Sequence, residues 1–371
     1  MKNTFGNSVT LTLLGESHGP GIGAVLDGLA PGIEVSEEAV AAMLEKRRPA
    51  GAISTSRRER DDFRILSGVF RGKTTGTPLA IIIPNSDTKS DAYEALRHTP
   101  RPGHADLTAE YKYRGFQDYR GGGHFSGRLT AALAAAGGIL LPALRKKGIL
   151  IGTHISVLGG GSSICDSAFP EEPGRLEEAL RSLEGPGFPT LSPDAEKAMT
   201  GRILEAKQDG DSVGGILETC ITGIPAGTGE PWFDTLEGLL AHILFSVPAV
   251  KGVEFGEAFS LIGLRGSGYN DAFYMADDGR IRTKTNHNGG VNGGIANGMP
   301  ILFRTQIKPT PSVFKTQETV DTKEMKNTAL SLSGRHDPAI IHRAPAVVDS
   351  AAALVAADLL ALRFGTDYLG E

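Results

Sequence analysis

Cysteine is almost absent: among 371 residues only Cys165 and Cys220 occur. They stand far apart and outside any zinc-type spacing, so neither a disulfide framework nor a thiolate metal site is implied, and a reducing cytoplasm is the expected compartment. The N-terminal stretch lacks the unbroken apolar core of an export signal, because Asn7, Ser8, Thr10 and Thr12 interrupt it. A membrane-length apolar run is missing as well. Leu129 to Leu144 falls short of the roughly 20 residues a span requires, is rich in alanine and glycine, and reads as a buried helix, so no membrane association is expected. Finally, there is no excess of positive charge. With 38 Lys and Arg against 43 Asp and Glu, the formal net charge is -5, which argues against a general nucleic-acid binder, since such proteins replace phosphate counterions with a broad basic surface.

What is present suits a folded chain with a large core: 40% of residues are hydrophobic and 22% charged. No fixed-period repeat, low-complexity linker or charged tail divides it, so a single domain over residues 1–371 is expected. Val9, Leu11 and Leu13 alternate with Ser8, Thr10 and Thr12, a period-2 strand that delivers the chain into the polar loop Gly15-Glu-Ser-His-Gly19. Ser36 followed by Glu37 and Glu38 is an N-cap signature, with Val40, Met43 and Leu44 at helical spacing. Pro49 stops that helix just after Lys46, Arg47 and Arg48. Glycine is plentiful at 49 residues and clusters at 121–123, 159–161 and 289–298. Clusters beside His, Asn, Ser and Arg read either as surface turns or as loops whose bare backbone approaches a ligand.

Seven basic residues lie between Lys46 and Arg64 in a chain that is acidic overall. Arginine's planar fork matches carboxylate and phosphate, so the segment reads as a site for a small polyanion; a solvated surface neutralised by Glu59, Asp61 and Asp62 is the alternative. His18, His104, His124, His287 and His336 stand in Gly- or Asn-rich loops, where imidazole is suited to proton transfer. Arg335-His336-Asp337 adds an anion binder, a titratable ring and a carboxylate. His104 and Asp106 have metal-ligand chemistry, but no HExxH or dense cluster completes a site, so no metal is expected. Gly19-Pro-Gly-Ile-Gly23 has the wrong spacing for a dinucleotide loop. Residue types alone leave two competing functions open: a metal-dependent phosphohydrolase using His104, Asp106 and Asp337, and an anion- or RNA-binding module built on Lys46 to Arg64.

Taken in order, the segments resemble the chorismate synthase family from end to end. They are Gly15-Glu-Ser-His-Gly19, Asp27-Gly28 with Pro31-Gly32, Lys46-Arg-Arg-Pro49, Arg57-Arg-Glu59, Leu66-Ser-Gly-Val-Phe70 and Arg101-Pro-Gly-His-Ala-Asp106. Further along come Asp118-Tyr-Arg-Gly-Gly-Gly123, Ala249-Val-Lys-Gly-Val-Glu254, Asn286-His287 with Gly289-Gly290, Lys308-Pro-Thr310 and Arg335-His-Asp-Pro338. The resemblance implies an α+β fold, the β-α-β sandwich of that family, assembled as a homotetramer. It also implies a lyase of the shikimate pathway of aromatic amino-acid biosynthesis, which removes phosphate from 5-enolpyruvylshikimate 3-phosphate by anti-1,4-elimination to give chorismate. Reduced FMN is implied as cofactor, with NADPH as a reductant that some relatives use.

Carried over by position, the resemblance implies catalytic roles for His18 near the flavin, His104 as the acid on the departing phosphate and Asp337 in removing the C6 proton. Ser17, Arg47, Arg48 and Arg128 resemble the substrate clamp, together with Arg335. FMN contacts fall at His124, Phe125, Ser126, Ala249, Gly293, Lys308, Pro309, Thr310, Pro311, Ser312 and Arg335. Three positions depart from the common pattern. His124-Phe-Ser-Gly-Arg128 stands where many relatives have Arg-Ser-Ser-Ala-Arg; Pro248 stands where many have Asn or Gln, and Ile53 where many have Arg. These bear on how the FMN phosphate is gripped and on dinucleotide contact.

Overall fold

In the computed structural model, residues 2–49, 51–55, 60–86, 94, 97–334 and 336–370 are described. Arg57, Arg58 and Arg335, expected at the anion site, lie outside them. Two antiparallel five-stranded sheets enclose a layer of helices. The first sheet runs, in spatial order, Thr4–Phe5, Thr10–Gly15, Gly21–Asp27, Leu79–Pro84 and Arg64–Ser67. The second runs Val250–Phe255, Ile301–Ile307, Gly215–Thr222, Leu150–Leu158 and Ile164–Cys165. Between them lie the helices Glu37–Arg47, Thr130–Lys146, Leu236–Leu244 and Ala344–Phe364, and the expected α+β, β-α-β layering is what the chain adopts.

Local sequence accounts for these elements. In the Leu79–Pro84 strand Leu79, Ile81 and Ile83 are fully buried while Ala80 and Ile82 are half-buried, the period-2 signature of a strand with one face on a core. The Ser36 hydroxyl accepts from Ala39 N at 3.1 Å, capping the helix that carries Arg47. The apolar run expected to form a buried helix does so as Thr130–Lys146. This helix and the C-terminal one are long and apolar enough to span a membrane, but both are mostly enclosed by the protein. Glycine lets the helices meet at short range: a Cβ on Gly137 would stand 2.0 Å from Ser350 Oγ, and one on Gly138 2.5 Å from Val40 Cα.

Two buried acids of the C-terminal helix take hydrogen bonds from neighbouring elements. Asp358, on the C-terminal helix, accepts from the backbone N–H groups of Asn7, Ser8 and Val9 at 2.9, 2.6 and 2.9 Å, tying the last helix to the first sheet. Asp349, earlier on the same helix, accepts from Thr153 Oγ1 at 2.6 Å, and Lys46 Nζ lies 4.0 Å away. Burial pushes the Asp349 carboxyl up to about 6, against the pull of Lys46 and the Thr153 hydroxyl.

This gives a pH dependence with a definite sign. Because folding raises the proton affinity of Asp349, its contribution is largest below the ordinary aspartate pKa and is lost as pH rises through the folded value of about 6. Asp349→Asn should therefore flatten the decline of urea-unfolding free energy with pH in that window, and a slope as steep as wild type would exclude the assignment.

Candidate functional site

The strand that ends at Gly15 and the one that begins at Gly21 are joined by a tight turn bearing Ser17 and His18, both buried. Asn85 secures the turn by donating through Nδ2 to the carbonyls of Glu16 and Gly19, each at 2.9 Å. Facing it is the loop Gly121-Gly122-Gly123, in which all three residues have positive φ (61°, 83° and 53°). Space leaves no room for side chains. A Cβ on Gly121 would fall 2.1 Å from both Cε1 and Nδ1 of His18, and one on Gly122 would fall 3.0 Å from Cε1 of His104. The two imidazoles expected to be catalytic thus lie against adjacent residues of one bare backbone segment. Ser17 N donates to Gly123 O at 3.1 Å, and His124 Nδ1 lies 2.8 Å from Gly15 O, closing the loop onto the turn.

His104 belongs to a compact ion cluster. Its Nδ1 is 2.6 Å from Asp106 Oδ1, while Arg101 binds both Asp106 oxygens at 2.8 Å and reaches Ser312 Oγ at 3.3 Å. Burial alone would raise the Asp106 carboxyl, but hydrogen bonds from Arg101 and His104 outweigh it and hold the group well below the usual carboxylate range. A crevice opens here, lined by Arg97, Arg101, His104, Tyr119, Gly122 and Phe125. Arg101 is felt by His336 as well, whose pKa is lowered first by burial and then by that guanidinium.

The predicted clamp arginines converge on a residue not assigned to the site from sequence. The Asp61 side chain is fully buried. Its Oδ1 pairs with Arg128 Nη1, and its Oδ2 lies 3.6 Å from Arg47 Nη1 and 3.7 Å from Arg48 Nε. Arg47 is also anchored to Thr130 Oγ1 (2.9 Å) and Gly127 O (3.0 Å), and Arg128 to Asn85 Oδ1 (3.1 Å) and Pro84 O (3.4 Å). Asn85 therefore links the cradle directly to the His18 turn. Arg48 is the outermost of the three, with its side chain 33% exposed against 9% and 3% for Arg47 and Arg128.

Asp337 is held by other partners. Its Oδ1 accepts from Thr55 N at 2.9 Å and its Oδ2 from Arg343 Nη2. Next to it, His342 Nε2 lies 2.8 Å from Ser54 Oγ with its ring stacked on Phe188. Burial and then Arg343 push this imidazole down to about 3. Asp337 and His104 thus belong to different hydrogen-bond sets, and the trio of the phosphohydrolase alternative is not assembled; among the described residues no group of three or more metal-ligating side chains occurs.

Of the positions expected to touch FMN, the 308–312 loop lies beside the His104 cluster: Lys308 Nζ donates to Gly103 O, and Lys308 N to Ala249 O at 2.9 Å. Ser126 caps Arg128 N at 3.3 Å, and Phe125 meets Tyr113 edge-on. Gly293 sits elsewhere, at the turn of the hairpin Val291–Asn292 and Ile295–Ala296, with open space around it. Among the described residues, the buried hydroxyls Ser17 Oγ and Thr310 Oγ1 have no hydrogen-bond partner. Together with the side-chain-free glycine loop, they fit a bound planar cofactor better than a closed core.

Two imidazoles lie against a bare loop next to a guanidinium cradle, groups whose chemistry suits proton transfer and the holding of a small anion. Comparison with known proteins narrows the class. The family model described as chorismate synthase matches residues 9–361. Chorismate synthase of Thermococcus kodakarensis is 46% identical over 96% of this chain and 97% of its own length; that of Aeropyrum pernix is 43% identical over 98% and 93%. A solved structure titled "Crystal Structure of Chorismate Synthase" superposes with TM-score 0.76 at 28% identity, over 98% of this chain and 94% of the other. The chain belongs to the chorismate synthase family, and is a lyase.

The glycine loop carries a specific expectation. Gly121→Ala places a methyl group against the His18 ring at a backbone angle that favours glycine, so the imidazole must move. Turnover should fall about 100-fold, as a misplacement of ~1 Å can cost, and the urea midpoint should also fall, because alanine is strained at that backbone angle. Wild-type turnover in the folded variant would remove the constraint.

Proposed function

We propose that the protein catalyses anti-1,4-elimination of phosphate from 5-enolpyruvylshikimate 3-phosphate to chorismate, with reduced FMN as cofactor. The observation that carries this reading is the placement of His18 and His104 on neighbouring glycines of one bare loop, beside the arginine cradle. The substrate carries one phosphate and two carboxylates, a charge that suits Arg47, Arg48 and Arg128 in a chain otherwise acidic. The hydrogen lost is not α to a carbonyl, so a base alone is poorly suited to remove it; reduced flavin, when bound, supplies transient electron donation in a reaction with no net redox change.

Within this reading His104 protonates the departing phosphate. Its Nδ1 faces the Asp106 carboxylate, an arrangement that fixes the ring and leaves Nε2 as the atom to deliver the proton. His18, held against Gly121, would supply a proton to the flavin when it is bound. Asp337 receives the C6 proton; each of its oxygens already accepts one hydrogen bond and retains a lone pair for another. Flavin contacts are assigned to His124, Phe125, Ser126, Ala249, Gly293, Arg335 and the 308–312 loop, with the unpartnered Thr310 hydroxyl the strongest support among them.

The chain acts as one unit over residues 1–371, supported by helices shared between both sheets. It assembles as a homotetramer in the cytoplasm; exposed apolar side chains at Phe259, Ile262, Phe273, Met275 and Ile281 support self-association. NADPH serves as an outside reductant of the flavin.

Under anaerobic conditions, protein with reduced FMN should convert the substrate to chorismate with release of phosphate, and absence of both products would overturn the reading. His104→Ala should lower that rate by at least ~100-fold, the lower range for a positioned acid; a near-wild-type rate would take the role from His104.

A further inference from the structure

The cradle of three arginines already holds an anion, and it comes from the chain itself. Asp61 has a fully buried side chain, with Arg128 on one oxygen and Arg47 and Arg48 within 3.7 Å of the other. That second oxygen, Oδ2, is buried yet makes no hydrogen bond among the described residues. Charge retains it there, without the directed donors that a permanent buried carboxylate gathers; Asp358, for comparison, takes three backbone N–H groups. The Asp61 backbone is in the left-handed region, with φ 55°, which a non-glycine residue adopts at some cost. Two of the three arginines have anchors besides it. Thr130, Gly127, Asn85 and Pro84 hold Arg47 and Arg128 independently.

We propose that the Asp61 carboxylate is a resident anion filling the cradle in the ligand-free protein, and that an oxyanion group of the substrate takes its place on binding. The inference rests on the reading of Arg47, Arg48 and Arg128 as the substrate clamp. The exchange is favourable in kind, since a phosphate dianion offers more charge and more acceptor oxygens to the same guanidinium donors than one carboxylate does. Arg48, the most exposed of the three, marks the side from which the incoming anion meets the cradle. A site open only a small fraction of the time binds its ligand more weakly by that fraction, so Asp61 sets the apparent affinity of the cradle.

The test measures inorganic phosphate binding to the full-length protein by titration calorimetry, for wild type, D61N and D61N with Arg48→Ala. D61N should bind phosphate at least about tenfold more tightly, the factor for a cradle vacant a tenth of the time or less, and Arg48→Ala should abolish the gain. Unchanged or weaker binding in folded D61N would overturn the proposal and leave Asp61 as a fixed counterion. Should D61N fail to fold, carbodiimide labelling of wild-type carboxyl groups decides the matter: saturating sulfate should raise modification of Asp61 several-fold, and an unaltered extent of labelling would overturn the exchange. Both readouts are independent of turnover, so failure of the elimination assay and failure of this inference are separately visible.

Discussion

Two imidazole rings reach the same short piece of backbone because that backbone carries no side chains. Gly121 is closed by His18 and Gly122 by His104, while a Cβ on Gly123 would lie 1.9 Å from the Asp118 carbonyl oxygen. All three have positive φ, so conformation and contact impose the same residue type. The rest of the site is arranged around this loop. The first hairpin brings His18 to one side, Arg101 and Asp106 fix His104 on the other, and the Ser17 and His124 hydrogen bonds pin the loop to the hairpin. Elements on either flank thus fix where the two imidazole rings stand.

Charge is distributed on the same plan. The described arginines meet acids in two arrangements: Arg101 binds both oxygens of Asp106, whereas Arg47, Arg48 and Arg128 all lie around the buried Asp61 carboxylate. The second sheet shows the contrasting case. His154, Glu218, Arg304 and Glu254 stand in register on adjacent strands, and Asp166 caps the row at His154 Nδ1. Burial would lower the His154 pKa, but the hydrogen bonds its ring makes to the Asp166 and Glu218 carboxylates overcome that and raise it. Plus and minus alternate there, and the imidazole is sealed under Phe169. The ladder therefore holds strands together, while the arginines of the cradle converge on one buried carboxylate, Asp61.

Much of this is legible in local signals of the sequence. Period-2 alternation at 8–13, the Ser36 cap and the apolar run at 129–144 each produce the element expected, because each depends on residues within a few positions of one another. His18 and His104 are visible as histidines in glycine-rich loops. Asp61 is not: it reads as one of several acids offsetting a basic segment, and its importance arises only when the fold carries residues 47, 48 and 128 to it. Asn85, which joins the His18 turn to Arg128, gives no sequence signal beyond its type. Arg101 stands out only as part of a motif, although the spacing Arg101, His104, Asp106 around a helix start anticipates the contact that forms.

The departures from the common family pattern acquire physical content from the same contacts. Ile53 packs against the hydrophobic core, so that position presents no charge to a dinucleotide. His124 stands where many relatives have arginine, and its Nδ1 is engaged with Gly15 O at 2.8 Å. A carbonyl only accepts, so Nδ1 carries the hydrogen, and in the neutral ring Nε2 is left with a lone pair. Facing a phosphate, that lone pair is repulsive; the ring becomes a donor on this side only when it takes up a second proton. An arginine would present a fixed charge at every working pH. Under the proposed flavin contact, the substitution therefore exchanges a guanidinium with several donors for an imidazole whose Nδ1 is already engaged, while leaving the proposed proton-transfer groups His18, His104 and Asp337 in place.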